Sequence, residues 1–143
     1  MRLSSNFYKF YFAWVISCLS LVVSLYFSEF KHLTPCHLCW YQRICLFPLT
    51  IILGIGTFQR FIGIVPYVLP QVGLGIFFAG YQVLIQEVIH ANVLPLCGSG
   101  ASCLEKIDIG FGPVTPPMLS LFGFCLIAYL LFSSWKDSKK SIL

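Results

Sequence analysis

The chain has 143 residues, of which 58% are hydrophobic and only 10% charged, and its formal net charge is +4. So apolar a composition excludes a soluble globular protein and places the chain in a membrane. This length leaves no room for a separate soluble domain, and no basic patch interleaves with aromatics in a way that would argue for nucleic acid.

Charged residues fall in clusters at Arg2/Lys9, Glu29/Lys31, Arg43, Arg60, Glu87, Glu105/Lys106/Asp108 and Lys136/Asp137/Lys139/Lys140. The uncharged stretches between them predict four transmembrane helices, over residues 10–28, 39–59, 66–89 and 116–135. The fold expected is an all-α membrane protein, a four-helix bundle forming one integral domain over 1–143, with two short cysteine-bearing loops outside. The first span has the basic start and apolar core of a signal peptide. It is too long for one, and no small-residue cleavage site follows, so it is expected to stay as a span.

Orientation follows from Lys and Arg on alternate sides of the four spans. One side carries Arg2, Lys9, Arg60, Lys136, Lys139 and Lys140; the other has only Lys31, Arg43 and Lys106, offset by Glu29, Glu87, Glu105 and Asp108. Both termini are therefore expected in the cytoplasm. This topology puts Cys36, Cys39, Cys97 and Cys103 outside, where disulfides persist. Cys18, Cys45 and Cys125 fall within spans, where free cysteine usually serves as a small apolar packing residue. Cys45 lies about 240° around a helix from Cys39 and so faces away from it.

The second span opens on Cys36-His37-Leu38-Cys39-Trp40-Tyr41-Gln42-Arg43. A C-x-x-C pair exchanges electrons readily when one thiol is held as thiolate by positive charge or a helix N-terminus. From Ile44 to Gln59 there is only roughly 24 Å of helix, short of a hydrocarbon core of about 30 Å. Starting the helix at Cys39 gives roughly 31 Å, which fits, and sets Arg43 one turn below Cys39 on nearly the same face. Cys39 then stands in a first helical turn, where the dipole and the guanidinium favour its thiolate. Pro35 just before the pair suits an extended chain entering that helix.

An arginine drawn toward lipid needs pairing, snorkelling or a site to serve. If it serves a site, it is a cation beside a quinone, stabilising the negative charge that two arriving electrons bring. Gln42 is a candidate hydrogen-bond donor to the same group. Tyr41, about 200° from Cys39, fits the interfacial aromatic belt equally well.

The second pair lies in Leu96-Cys97-Gly98-Ser99-Gly100-Ala101-Ser102-Cys103. As a structural staple, closing so short a loop contributes only about 2 kcal/mol in the chain-entropy model. Gly98 and Gly100 leave the loop flexible, which suits a disulfide that another protein's thiolate must attack. Residues 104–109 mix apolar and charged side chains and can lie as a short helix on the membrane surface.

With these motifs in place, the chain resembles the disulfide bond formation protein B (DsbB) family in its short, BdbC-type branch. The resemblance rests on Cys36 to Arg43, on the opening span and on Pro116-Pro117-Met118-Leu119-Ser120-Leu121, and it covers nearly the whole chain. It implies a thiol:quinone oxidoreductase of the bacterial cytoplasmic membrane that reoxidises an extracytoplasmic DsbA-like (BdbD-type) thiol oxidase. By the same resemblance the partner attacks the Cys97/Cys103 disulfide. The resulting dithiol is reoxidised by Cys36/Cys39, which passes two electrons to menaquinone or ubiquinone. Cys39 is then the quinone-facing thiolate and Arg43 the cationic partner of the quinone. The chain departs from the longer family members in the spacing of the second pair, whose loop is shorter, so the resemblance does not by itself imply their loop rearrangements.

Other readings stay open on the residues alone. A vitamin K epoxide reductase-like quinone reductase also pairs a C-x-x-C with a four-helix bundle. His32, Cys36, His37 and Cys39 are a possible zinc set, but no second C-x-x-C or H-x-x-x-H accompanies them, and no metal is expected. A non-catalytic membrane protein with stapled loops is the third. His32 and His90 read as interfacial residues, with His90 a candidate proton shuttle.

Overall fold

A long apolar segment in lipid has no water to satisfy its backbone, so it closes its own hydrogen bonds as a helix. The computed structural model describes residues 2–30, 37–85 and 116–142. They form four helices: α1 (Arg2–Glu29), α2 (His37–Phe58), α3 (Val65–Leu84) and α4 (Pro116–Ile142), with a 3-10 turn at Ile62–Ile64 before α3. Each is long and apolar enough to cross a membrane, and no strand occurs among the described residues.

The helices stand around a square. α1 packs on α2 and α4, and α3 packs on the same two. Buried positions recur at three- and four-residue spacing: Asn6, Phe10, Ala13 and Ser17 on α1; Leu38, Gln42, Cys45, Leu49 and Leu53 on α2; Val65, Val68, Val72, Gly75, Ala79 and Gln82 on α3; Phe124, Ile127, Leu131 and Ser134 on α4. One stripe of each helix thus faces the bundle axis. The opposite faces are equally apolar, with Leu19, Ile51, Tyr67, Phe77, Phe122 and Tyr129 exposed, as lipid contact requires. Small residues let the helices approach: a Cβ on Gly54 would meet Trp14, on Gly56 Phe10, and on Gly75 the ring of Phe124.

Pro48 lies inside α2 and Pro70 inside α3. Pro48 has no N–H to give to the carbonyl of Ile44 and loosens the ladder there. Gln71 Nε2 donates across from α3 to the neighbouring carbonyl of Cys45 at 2.8 Å, which braces the weakened stretch.

Chain reversal between α2 and α3 uses a Schellman turn. Phe61 N donates to Gly56 O at 3.0 Å and Arg60 N to Thr57 O at 3.3 Å. The left-handed position that such a turn demands, commonly glycine, is taken by Arg60 at φ 53. The guanidinium lies 5.5 Å from the ring centroid of Phe7.

The two ends of the bundle differ in chemistry. One holds Arg60, Lys9 and the basic last turn of α4, with Lys9 Nζ bonded to Asp137 Oδ2 at 2.6 Å and to Ser133 Oγ at 3.0 Å. The other holds two hydrogen-bonded sets, Arg43 with Ser24, and Cys39, Gln82, Gln42 and Ser120 in series.

Candidate active site

α2 begins at His37, two residues before the expected start, so Cys39 occupies its first turn. The positive end of the helix dipole lies beside the sulfur. Cys39 is half-buried. Gln82 Nε2 of α3 donates to its Sγ at 3.4 Å, and Leu38 and Ile85 form an apolar pair against which Cys39, Phe78 and Tyr81 pack.

Gln42, one turn below Leu38, points inward. Its Nε2 donates to Gln82 Oε1 at 2.7 Å, and its Oε1 accepts from Ser120 Oγ of α4 at 2.8 Å. The amide anticipated as a donor to a bound quinone is thus buried and engaged on both sides. Arg43 lies on the flank toward α1. Its Nε donates to Ser24 Oγ at 3.0 Å and its Nη2 to Ser24 O at 2.7 Å, and its guanidinium lies 5.8 Å from the ring centroid of Trp40. Tyr41 takes the other flank and stacks on Phe78 at 5.2 Å. Tyr81 Oη is buried with no hydrogen-bond partner among the described residues.

The three intramembrane thiols differ. Cys45 is buried in the bundle core, Cys18 is half-buried, and Cys125 is exposed on the lipid side. Packing therefore accounts for Cys45 and not for Cys125. Cys36, Cys97, Cys103, His32 and His90 lie outside the described residues. Among the described residues no three His, Cys, Asp or Glu side chains converge as a metal set.

Sequence reasoning missed Ser24, Gln82 and Ser120. A signal for Gln82 was present, since a carboxamide in an apolar span is costly unless a neighbouring helix answers it. What the sequence withholds is which helix does so.

The family model described as disulfide bond formation protein DsbB matches residues 8–135. A probable disulfide formation protein of Chlamydia pneumoniae is 47% identical over 124 residues, covering 87% of this chain and 89% of the relative. Probable disulfide formation protein C 2 of Bacillus cereus is 38% identical over 87% of this chain and 89% of its own. A probable disulfide formation protein of Coxiella burnetii is 37% identical over 99% of this chain and 96% of its own. No solved structure matches. The matched stretch reaches from α1 to α4, through the C-x-x-C and the polar cluster behind Cys39, and the chain therefore belongs to the DsbB family of membrane disulfide-forming oxidoreductases.

Proposed function

We propose that this protein reoxidises a DsbA-like thiol oxidase outside the bacterial cytoplasmic membrane and delivers the electrons to membrane quinone, with both termini in the cytoplasm. The observation that carries this reading is the position of Cys39, in the first turn of a membrane-spanning helix with Arg43 one turn below it and Gln82 bonded to its sulfur. Concentration of positive charge at the opposite end of the bundle supports the orientation.

The exchange balances as follows. A dithiol on the partner reduces the Cys97/Cys103 disulfide and becomes a disulfide itself. The Cys97/Cys103 dithiol then reduces Cys36/Cys39, and that dithiol gives up two electrons and two protons. A DsbA-type oxidase stands at about −120 mV and holds its electrons strongly, so it is reoxidised only when electrons are drawn off downstream. Quinone, when bound, supplies that sink.

The residues present fit such a group. Arg43 keeps N–H groups beyond the two given to Ser24, and the buried Tyr81 hydroxyl, hydrogen-bonded to no described residue, offers a donor near the same end. Arg43 binds and offsets negative charge, Cys39 reacts, and Gln42 acts from behind through Gln82. Exposed Trp40 and Ile44 beside them give an apolar approach from lipid.

The test is anaerobic oxidation of a reduced DsbA-like protein by the purified, detergent-solubilised chain, with menaquinone, with ubiquinone and with neither, following quinone absorbance and partner thiols together. Equal loss of thiol pairs and quinone, abolished by Cys39→Ser, is expected. Thiol loss without quinone turnover would overturn the assignment of acceptor.

A further inference from the structure

Three neutral polar side chains from three helices stand in line behind Cys39. Ser120 Oγ of α4 lies 2.8 Å from Gln42 Oε1 of α2, Gln42 Nε2 lies 2.7 Å from Gln82 Oε1 of α3, and Gln82 Nε2 lies 3.4 Å from Cys39 Sγ. Gln42 and Gln82 are 8% and 3% exposed. Water is not at hand for either amide, and leaving one end unpaired would be costly.

This line has two properties that a simple bridge between helices does not need. At one end it reaches a sulfur that gains and loses a proton, and both the nitrogen and the oxygen of Gln82 face that sulfur, at 3.4 Å and 3.8 Å. At the other end Ser120 has one hydroxyl proton and two acceptors within reach, Gln42 Oε1 at 2.8 Å and Pro117 O at 2.9 Å.

We propose that Ser120, Gln42 and Gln82 form a reversible hydrogen-bond relay that turns a donor toward Cys39 when it is a thiolate and an acceptor toward it when it is a thiol. Gln82 is then a positioning residue for the reacting sulfur, and Ser120 the residue that lets the relay change direction. The inference deepens the function proposed above and rests on Cys39 being a reacting thiol.

In the first direction Ser120 donates to Gln42, Gln42 donates to Gln82, and Gln82 donates to the thiolate, so one N–H or O–H of each member points along the line toward the negative charge. In the second direction the Cys39 S–H donates to Gln82 Oε1, Gln82 Nε2 donates to Gln42 Oε1, and Gln42 Nε2 donates to Ser120 Oγ. Ser120 then gives its proton to Pro117 O, the acceptor already 2.9 Å away. The two ends of a carboxamide have nearly the same shape, so both directions fit the same heavy-atom positions. Both amides turn through half a circle and the hydroxyl changes acceptor. The relay itself neither takes up nor releases a proton.

The consequence is a pair of buried amides that present a partner to either protonation state of the half-buried sulfur. A donor fixed toward the sulfur would stabilise the thiolate and leave the thiol facing an N–H; a fixed acceptor would do the reverse.

The test reads Cys39 directly. The full chain carrying Cys36→Ser, Cys97→Ser and Cys103→Ser is kept reduced in detergent and alkylated with iodoacetamide over a wide pH range, and modification of Cys39 is followed by mass spectrometry of its peptide. Gln82→Leu is expected to move the midpoint of the profile up by about one pH unit, because the charge-assisted bond lost from the thiolate is stronger than the neutral one lost from the thiol. Ser120→Ala moves it in the same direction by less, and Ser120→Thr, which keeps the hydroxyl, does not move it. The double variant Gln82→Leu/Ser120→Ala moves no further than Gln82→Leu alone, because Ser120 acts only through Gln82.

An unmoved midpoint in Ser120→Ala, or shifts that add in the double variant, would overturn the relay. Should Gln82→Leu fail to assemble, the contrast between Ser120→Ala and Ser120→Thr decides the same point. The readout needs neither partner protein nor quinone. Shifted midpoints without thiol:quinone turnover in the parent chain would retain the relay and reject the proposed function, and turnover with unmoved midpoints would do the opposite.

Discussion

Arg43 and Ser24 meet at two points, Nε on the serine hydroxyl at 3.0 Å and Nη2 on the serine carbonyl at 2.7 Å. A snorkelling arginine floats toward the headgroups; this one is fixed to the neighbouring helix within one turn of Cys39. A planar fork suits such a double contact, and a lysine ammonium cannot reproduce it.

Arg43→Ala is therefore expected to raise the KM for quinone by tenfold or more, equivalent to about 1.4 kcal/mol, while thiol exchange with the partner persists. Ser24→Ala removes one of the two bonds and should raise it by a few-fold, the effect of about 1 kcal/mol. Stopped-flow measurement of the two half-reactions separates these effects. Equal loss of both half-reactions in Arg43→Ala would count against a role at the quinone.

Cys103→Ala should show the reverse pattern. Oxidation of the DsbA-like partner falls to background, while Cys36/Cys39 reduced by a small dithiol still turns over quinone. Persistent partner oxidation in this variant would mean that the partner meets the C-x-x-C directly.

Gly75 has no room for a side chain, because a Cβ would run into the ring of Phe124, which is only 4% exposed. Gly75→Ala should destabilise the bundle by about 1–3 kcal/mol through overpacking between α3 and α4. Adding Phe124→Leu should recover part of that loss. Thermal unfolding in detergent checks both, and equal Tm values for Gly75→Ala and the parent would show that the interface gives way freely.

Arg60 at φ 53 carries a backbone penalty of roughly 1 kcal/mol, which glycine avoids. Its contact with Phe7 returns about 0.5 kcal/mol at an exposed site. Arg60→Gly should thus leave Tm unchanged or slightly higher. Arg60→Val, with a branched side chain in the same left-handed position, should lower it by several degrees. A Tm for Arg60→Gly below that of Arg60→Val would contradict the turn geometry.

Four helices were legible from composition, and the first turn of α2 was legible from length: a segment starting at Ile44 is too short to span. The inward faces were not. Leu53 and Val72 are buried while Ile51 and Leu74 are exposed, and no pattern of hydrophobicity separates them, because lipid accepts the same side chains as the bundle interior. Around the site, the one-turn separation of Cys39 and Arg43 was legible because they share a helix; that Cys39 turns to Gln82 of α3 and Arg43 to Ser24 of α1 was not. Gln82 and Ser120 could not be joined to them, since |i−j| is 43 from Cys39 to Gln82 and 78 from Gln42 to Ser120. For the same reason Gln42 read as a donor to an outside ligand rather than as the middle of a buried line.

The Schellman turn at Arg60 connects the helices that bring Cys39 and Gln82 together, although it sits at the far end of both. Residues 59–64 therefore act as a ruler for a contact on the other side of the membrane. One residue inserted in the first turn of α3, just after this connection, would rotate the rest of that helix by about 100° and advance it by about 1.5 Å relative to α2, carrying Gln82 off the sulfur without touching either residue. Alignment at the Cys39 end of the bundle is thus dictated from the opposite end, and a change of length there acts on the Cys39–Gln82 contact without altering either residue.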